Sequence, residues 1–421
     1  MKRFIIACLL TLSGLPVYGQ SSSLTLDEAL KLASQNNPKL KAAQAELGIS
    51  EAEIINAGTR LNPTVMSDSG IAEDTYRIGI EQTLELGGKR RKRIAVARAQ
   101  QQVTVQEINQ ALVELRANVR RAYAALYYAQ QRQQALEEVR DTTDKLLNVA
   151  QKREKAGDVA ILDVLQAEIA SVNANNELQT ASNQLNEARN TLNAILNQPL
   201  DTSIVLAPPE AFPQVTTPTP TDDKTLKVTV QQVTLDINAL TETALQQRPE
   251  LRQVQERMNV TDRELRLARA NRVPDLSLTA GPDLVVPGGG ENQYNMFAIV
   301  SMELPVWNFQ QGPVRLAKAR KNQLELELAA TANTICLEVT NATNSFFTQQ
   351  TRLMHYETEI LPKAEDVLEK SRRSFEEGKS DILVPLNAQQ AYINTRLGYL
   401  QTLVDLQNAI SDLEKAIGSG L

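Results

Sequence analysis

Aromatic residues, histidine and cysteine are scarce in this chain. Of its 421 residues, 4% are aromatic, one is histidine and two are cysteine, whereas Ala, Gln, Glu, Leu and Arg are abundant. Such a composition is typical of long solvated helices rather than of a compact core with large buried side chains. His355 lies in no catalytic motif, and Cys and His do not occur at metal-ligand spacing. The sequence therefore predicts a protein that is not an enzyme and needs no cofactor or bound metal.

Charge of a single sign and long apolar runs are missing as well. The formal net charge is −6 with both signs interspersed, and no nucleic-acid-binding motif occurs, so nucleic acid is not expected as a partner. After the first residues of the chain there is no run of about 20 apolar residues, so no transmembrane helix is predicted. Residues 1–19 are typical of a signal peptide, because basic Lys2 and Arg3 precede an apolar stretch over residues 4–12. The mature protein is therefore expected to be exported.

The same order of features occurs twice along the chain. The segment Asn37–Leu40 corresponds to Arg248–Leu251, and Gly157 followed by Asp158 corresponds to Gly378 followed by Lys379. Such an internal repeat indicates a duplicated architecture. We divide the mature chain into a first repeat over residues 20–198, a Pro/Thr-rich linker or equatorial segment over residues 199–234, and a second repeat over residues 235–421.

Each repeat contains a pair of predicted strands. Residues 77–86 alternate strictly, with Ile78, Ile80, Leu84 and Leu86 on one face and polar side chains on the other. Strands of about ten residues with this alternation fit the wall of a transmembrane barrel. Four strands cannot close a barrel, and open edges are not tolerated in lipid, so closure needs several chains. The predicted pairs are residues 64–71 with 77–86, and residues 275–284 with 295–306.

Very long helices follow the strands. Residues 89–156 contain neither glycine nor proline, which predicts a helix of about 100 Å. Leu112, Leu115, Val119 and Ala122 step by threes and fours, a spacing that indicates coiled-coil pairing. The other predicted long helices span residues 159–198, 314–361 and 386–417.

With these features the whole mature chain resembles a TolC-type outer membrane factor of the outer membrane efflux protein family. Asn62-Pro63 and the segment Gln82–Arg90 resemble the branch associated with cobalt, zinc, cadmium or copper resistance. The resemblance implies a mainly α fold with a small β part, built from tandem-duplicated strand pairs and long helical hairpins. As a homotrimer it would form a 12-stranded transmembrane β-barrel in the outer membrane and a 12-helix coiled-coil tunnel in the periplasm.

The resemblance also implies a function. The trimer would be the exit duct of a tripartite efflux pump, passively conducting heavy-metal cations from the periplasm to the outside. Its partners would be a periplasmic adaptor, an inner-membrane transporter of the RND type and outer-membrane lipid. Two alternatives stay open: the same duct serving multidrug efflux or type I protein secretion, and a periplasmic coiled-coil adaptor or structural protein. An adaptor has one helical hairpin, whereas this chain has two.

In this family the breaks between the long helices lie at the periplasmic tip, where the adaptor docks. Gly157 and Gly378 suit such breaks because glycine tolerates the positive φ that ends a helix. Asp163 matches a polar position that helps to hold the entrance closed in relatives, whereas Asn387 stands where some members carry an aspartate. The residues expected at the tip are Arg153, Gly157, Asp158, Asp163, Leu165, Gly378, Asp381, Leu386 and Asn387.

A run of basic residues begins the first long helix, directly after a strand. It consists of Lys89, Arg90, Arg91, Lys92 and Arg93. At a junction between barrel and helix these cations would lie near lipid phosphate groups. The alternative interpretation is a solvated helix face.

Overall fold

The structure is a computed structural model, which describes residues 23–70, 75–207, 236–285 and 293–418. The predicted signal peptide (residues 1–19) and most of the predicted linker (residues 199–234) lie outside these ranges. The elements of the first copy are α1 (Leu26–Asn36), α2 (Pro38–Gly58), β1 (Thr64–Gly70), β2 (Thr75–Leu84), α3 (Lys89–Lys155) and α4 (Ile161–Leu196). Those of the second are α5 (Ile237–Gln247), α6 (Pro249–Ala270), β3 (Leu276–Val285), β4 (Gln293–Met302), α7 (Gln311–His355), a π-helical turn (Tyr356–Ile360), α8 (Leu361–Glu376) and α9 (Leu383–Ile417).

The four described strands form one antiparallel sheet in the order β1-β2-β3-β4. Its central pair, β2 with β3, joins the two copies. One face carries exposed apolar side chains on neighbouring strands, among them Ile80, Tyr294 and Val300. The other face is polar, and there the hydroxyl groups of Thr83 and Ser277 lie 3.1 Å apart. The predicted division into an apolar and a polar face is therefore present.

Two glycines allow β2 and β3 to approach closely. A Cβ on Gly281 would lie 1.9 Å from the carbonyl oxygen of Ile78, and one on Gly79 would lie 2.8 Å from Cζ of Phe297. The ring of Phe297 thus packs against Gly79 on the polar face, an arrangement known to compensate for glycine in sheets.

Two predicted strands end earlier than the alternation indicates. Residues 85–86 lie beyond β2 because the N–H of Leu86 donates to Oδ1 of Asp275, at 3.0 Å, instead of to a strand. Residues 303–306 lie beyond β4, where the N–H of Val306 donates to the carbonyl of Leu304 at 2.9 Å in a tight turn.

The helices pack as long antiparallel rods. The 67 residues of α3 extend over about 100 Å, as predicted. Along one side α3 contacts α2 and α4, and α6 and α9 pack against both α3 and α7. Val119 and Ala122, from the predicted heptad series, are buried between helices. No helix in the described ranges is long and apolar enough to cross a membrane.

Within each copy, the residue between the first two helices binds the C-terminal end of the last helix. In the first copy Nδ2 of Asn37 donates to the carbonyl of Ile195 at 2.9 Å. In the second copy Nη1 of Arg248 donates to the carbonyl of Ala416 at 3.3 Å. Different side chains at corresponding positions therefore bind the last turn of α4 and of α9.

The first long helix of the second copy, α7, differs from the prediction, which ended it at residue 361. The chain continues helically through Pro362 to Glu376, because a π-helical turn precedes the proline. In this turn the N–H of Leu361 donates to the carbonyl of Tyr356, five residues back. Tyr356 contacts α9 so closely that a Cβ on Gly398 would lie 2.5 Å from its hydroxyl oxygen. This tertiary contact has no local sequence signal.

Candidate functional site: the hairpin tips and the strand–helix junction

The first helical hairpin reverses at Gly157. This glycine has a φ of +83° and follows the last turn of α3. Its N–H donates to the carbonyl of Glu154 at 2.9 Å, and the N–H of Asp158 donates to that of Arg153 at 2.9 Å. These two bonds define a Schellman motif, which satisfies the carbonyl groups left free at a helix end.

The second hairpin reverses through the same motif. Gly378 has a φ of +72°. Its N–H donates to the carbonyl of Phe375 at 3.0 Å, and the N–H of Lys379 donates to that of Ser374 at 2.9 Å. The two tips thus share their backbone geometry but differ in the residue after the glycine, which is Asp158 in one and Lys379 in the other.

Arg153 connects the two tips. Its Nη1 donates to the carbonyl of Phe375 at 3.1 Å, and its Cζ lies 5.0 Å from the centroid of the Phe375 ring. A guanidinium group at this distance is attracted to the face of the ring. Phe375 itself is buried in an apolar cluster contributed by both hairpins. Its buried members are Leu146, Ala150, Val164, Ala167, Phe375 and Ile382.

Two acidic residues of the tip, Asp163 and Asp381, lie at helix starts. Oδ1 of Asp381 accepts the N–H of Ile382 at 3.1 Å, and its carbonyl accepts the N–H of Val384 at 3.2 Å. Asp163 lies half-buried in the first turn of α4, where its N–H donates to the carbonyl of Ala160 at 3.0 Å. Carboxylates at these positions interact favourably with the helix dipole.

The structure brings only some of the predicted tip residues together. A Cβ on Gly378 would lie 3.5 Å from Nη2 of Arg153, and Leu386 packs against the apolar cluster. The exposed predicted residues are Gly157, Asp158, Leu165, Gly378, Asp381 and Asn387.

A groove near the tip was not predicted from the sequence. It has a volume of about 420 Å³ and lies between α3, α8 and α9. Nη1 of Arg396 lies 2.5 Å from Oε2 of Glu138 at its wall, and Arg373 binds Glu369. Buried Gln389 donates to Oγ1 of Thr143 at 2.8 Å. Glu369 and Arg373 have the i, i+4 spacing of a helix pair, but the other contacts join distant parts of the chain.

The basic run at the start of α3 binds the surrounding backbone and two carboxylates. Nζ of Lys89 lies 2.7 Å from Oδ1 of Asp275, and Arg93 binds the carboxylate of Glu85 through Nη1 and Nη2. The hydrogen bonds that Arg93 donates to Glu85 raise the pKa of Arg93 despite partial burial. This pairing ties the first turns of α3 to the ends of the strands.

The other three cations of the run differ in their environment. Nε of Arg90 donates to the carbonyl of Gly58, and Nζ of Lys92 donates to that of Gly87, each at 2.5 Å. Arg91 is exposed, and its guanidinium group forms no hydrogen bond or ion pair within the described part of the chain. One of the five cations is therefore directed to the surroundings of the protein. In the same described residues, no group of three or more His, Cys, Asp or Glu side chains is placed to hold a metal ion.

The fold is shared with outer-membrane channels of solved structure. The cobalt-zinc-cadmium resistance protein CzcC of Cupriavidus metallidurans is 24% identical over 413 residues, which cover 96% of this chain and 93% of CzcC. The solved outer-membrane channel OprN has a TM-score of 0.73 at 19% identity, covering 96% of this chain and 93% of its own. The solved structure of CusC has a TM-score of 0.73 at 16% identity, and the match covers 94% of this chain and 93% of CusC. A family model for outer membrane efflux proteins matches residues 29–198 and 240–419. The chain belongs to the outer membrane efflux protein family and is an efflux channel protein of the outer membrane.

Proposed function

We propose that three copies of this chain form the exit duct of a tripartite efflux pump that exports heavy-metal cations. The observation that carries the proposal is the open sheet. β1 and β4 are both edges of the described sheet, and its apolar face is exposed. Exposed edges cannot persist in lipid, whereas three sheets of four strands close into a barrel of twelve.

Exposed apolar residues on the helices support association below the barrel. Ile161, Leu165, Ile169 and Val172 are exposed on α4 and recur at the spacing of one helix face. A neighbouring copy or an adaptor hairpin would cover this stripe. We assign the exposed predicted tip residues to contact with a periplasmic adaptor, which couples the duct to an inner-membrane transporter of the RND type.

The metal substrate is supported by the relative CzcC, which is named for cobalt, zinc and cadmium resistance and matches nearly the whole chain. Growth of a deletion strain on graded zinc, cobalt, cadmium, copper and silver salts, beside dyes and antibiotics, tests this assignment. We expect a selective loss of metal tolerance that the wild-type gene restores. Unchanged metal tolerance with new drug sensitivity would refute the metal substrate and leave the duct intact. Light scattering of the purified protein tests the trimer separately.

A further inference from the structure

The long helices of the two repeats correspond position by position. Val119 of α3 corresponds to Val339 of α7, which lies 220 positions further along, and both are fully buried. Beyond the π-helical turn the shift is 221 positions, from Gly157 to Gly378, because the turn adds one residue to the second repeat. Each contact of one repeat can therefore be compared with the same positions in the other.

Within the chain, α3 of the first repeat packs against α6 and α9 of the second. We call this contact the internal interface. Val139 of α3 packs against the cluster in which Ile393 of α9 is buried. Nearer the tip, Leu146 of α3 and Ile382, directly before α9, are buried in one cluster. The internal interface thus has an apolar centre.

The equivalent positions on the outer sides of the chain are apolar as well, but they are exposed. Val172 and Ile161 of α4 take the positions of the two isoleucines, and Ile360 and Val367 take those of the valine and the leucine. Val172 is 59% exposed and Val367 53%. These side chains belong to two different helices on opposite sides of the chain, so neither set covers the other within one chain.

The same difference recurs nearer the sheet. Val260 of α6 is buried at the internal interface, where Val96 of α3 packs against its cluster. Ile49 of α2 and Leu316 of α7 stand at the equivalent positions and are both exposed. Exposure at these positions therefore follows the outer sides of the two repeats along most of their length.

A ring of three chains contains six repeats, which brings these sets together. Each second repeat then meets the first repeat of the next chain, at what we call the chain interface. Repeats with the same backbone can pack in the same way around a closed ring. In that arrangement α4 and α2 of one chain lie against α8 and α7 of the next, and the exposed residues come to lie opposite one another.

A neighbouring chain fits the stripe on α4 better than an adaptor hairpin does, because α8 needs a partner too. Phe375 is the one buried residue of α8, which the structure describes in full. The helix is otherwise supported by ion pairs at i, i+4 spacing, among them Lys370 with Asp366. An adaptor on α4 would leave Val367 in water, whereas the next chain covers both sets at once.

The polar contacts of the internal interface are not repeated at the chain interface. Those described by the structure include Arg153 with Phe375, Gln389 with Thr143, Arg121 with Asp412, and Arg396 with Glu138. The equivalent positions hold Ser374 with Glu154, Glu168 with Ala364, Asn341 with Thr191, and Asn175 in place of Arg396. These residues cannot form the same cation–π contact or the same ion pairs. The chain interface therefore keeps the apolar packing and lacks these four contacts.

We propose that Ile161 and Val172 of each chain pack against Val367 and Ile360 of the next, and that the tips part along this chain interface rather than along the internal one. The two hairpins of a chain then move together as one body. The inference rests on the proposed function, in which three chains form the duct. It assigns the stripe on α4 to a second copy of the chain.

Cross-linking of the full-length protein tests the contact. The background carries Cys336→Ser, which removes the free cysteine of the described residues. Ile161→Cys combined with Val367→Cys should form covalent dimers and trimers on oxidation. The control combines Ile382→Cys with Leu146→Cys and should stay monomeric in mass, because these positions meet within one chain.

Light scattering separates this inference from the proposed function. A trimeric protein that forms no covalent multimers would overturn the chain interface and leave the stripe to an adaptor. A protein that is not trimeric would refute the proposed function, and the inference with it.

Thiol alkylation of the trimer tests where the tips part. Val367→Cys and Leu146→Cys, each as a single cysteine, occupy equivalent positions of the two interfaces. We expect Val367→Cys to react severalfold faster. Adding Ser374→Arg and Glu154→Phe supplies an arginine and an aromatic ring at the chain interface, and should slow that reaction severalfold without affecting Leu146→Cys. Equal rates at the two cysteines, or no slowing by the added pair, would refute parting between chains.

Discussion

The guanidinium group of Arg153, at the end of α3, lies over the ring of Phe375 in α8 and donates a hydrogen bond to the same residue's carbonyl. One side chain of the first hairpin thereby binds both the ring and the backbone at the end of the second. The two tips of a chain are held at a fixed distance by this contact and by the apolar cluster beneath it.

Replacing Arg153 with Ala should loosen this connection. The loss of one hydrogen bond and one cation–π contact should lower stability by roughly 1–2 kcal/mol. We expect a lower melting temperature and a higher conductance in planar bilayers, because the tips separate more easily. Arg140→Ala is the control, since Arg140 lies on the same helix and binds only the neighbouring Asp141. Equal conductance of the two variants would show that Arg153 does not hold the tips together.

The glycines of the tips and of the helices should respond to alanine with opposite signs. Gly157 has a positive φ and no atom within 4 Å of an added Cβ, so Gly157→Ala tests backbone strain alone. We expect a loss of about 1–2 kcal/mol. Gly48 lies within α2 with equal open space, and Gly48→Ala should gain about 0.5–1 kcal/mol. Thermal unfolding measures both, and a stabilising Gly157→Ala would contradict the left-handed turn.

Alanine should be tolerated less well at Gly281 than at Gly79, the two glycines at which β2 and β3 approach closely. Gly281→Ala places a Cβ against the backbone of β2, so we expect little or no assembled protein in the outer membrane. Gly79→Ala meets the ring of Phe297 at 2.8 Å as its tightest contact, followed by Cγ2 of Thr279 at 3.1 Å, and a second change, Phe297→Leu, should restore most of the assembly. Gly312→Ala has open space and serves as the control. Normal assembly of Gly281→Ala would mean that β2 and β3 do not pair in this register.

Stability should depend on pH through Glu250. Burial is the largest single effect and opposes its charged form, but hydrogen bonds from Arg248 and the backbone, together with the charges of Arg248 and Lys415, outweigh it and lower the pKa of Glu250. Because the folded pKa lies below the unfolded one, the contribution is present above the unfolded pKa and is lost as pH falls through the folded pKa. The difference in melting temperature between wild type and Glu250→Gln should therefore shrink on acidification. Glu53→Gln, at an exposed position on α2, should show no such trend.

Much of this fold follows from local sequence patterns. Heptad spacing around Val119 places apolar residues on one face of a helix, and alternation through Ile80 places them on one face of a strand. Both faces follow from the periodicity of the chain, without any knowledge of its tertiary contacts. The positive φ at Gly157 and Gly378 also follows, because a glycine after a long helix is the usual C-terminal signal.

The contacts that join distant segments could not be predicted in this way. Arg153 and Phe375 lie on different hairpins, and nothing near either residue indicates the other. The five basic residues at the start of α3 are alike in sequence, yet Lys89 binds Asp275 while Arg91 is free, because the pairing of β2 with β3 decides which carboxylate lies nearby. Continuation of the helix past Pro362 likewise depends on the contact of Tyr356 with Gly398.

The pairing of β2 with β3 has a consequence for how the duct can evolve. Because this pair joins the two copies within one polypeptide, the hairpins no longer need to be identical, as they would be in a ring of single repeats. Each tip can acquire its own side chains while its backbone turn is kept. Two such differences have been described: Asp158 in the first copy corresponds to Lys379 in the second, and Asn37 corresponds to Arg248. A ring of alternating unlike hairpins can present two kinds of docking surface to a partner, which a ring of identical hairpins cannot do.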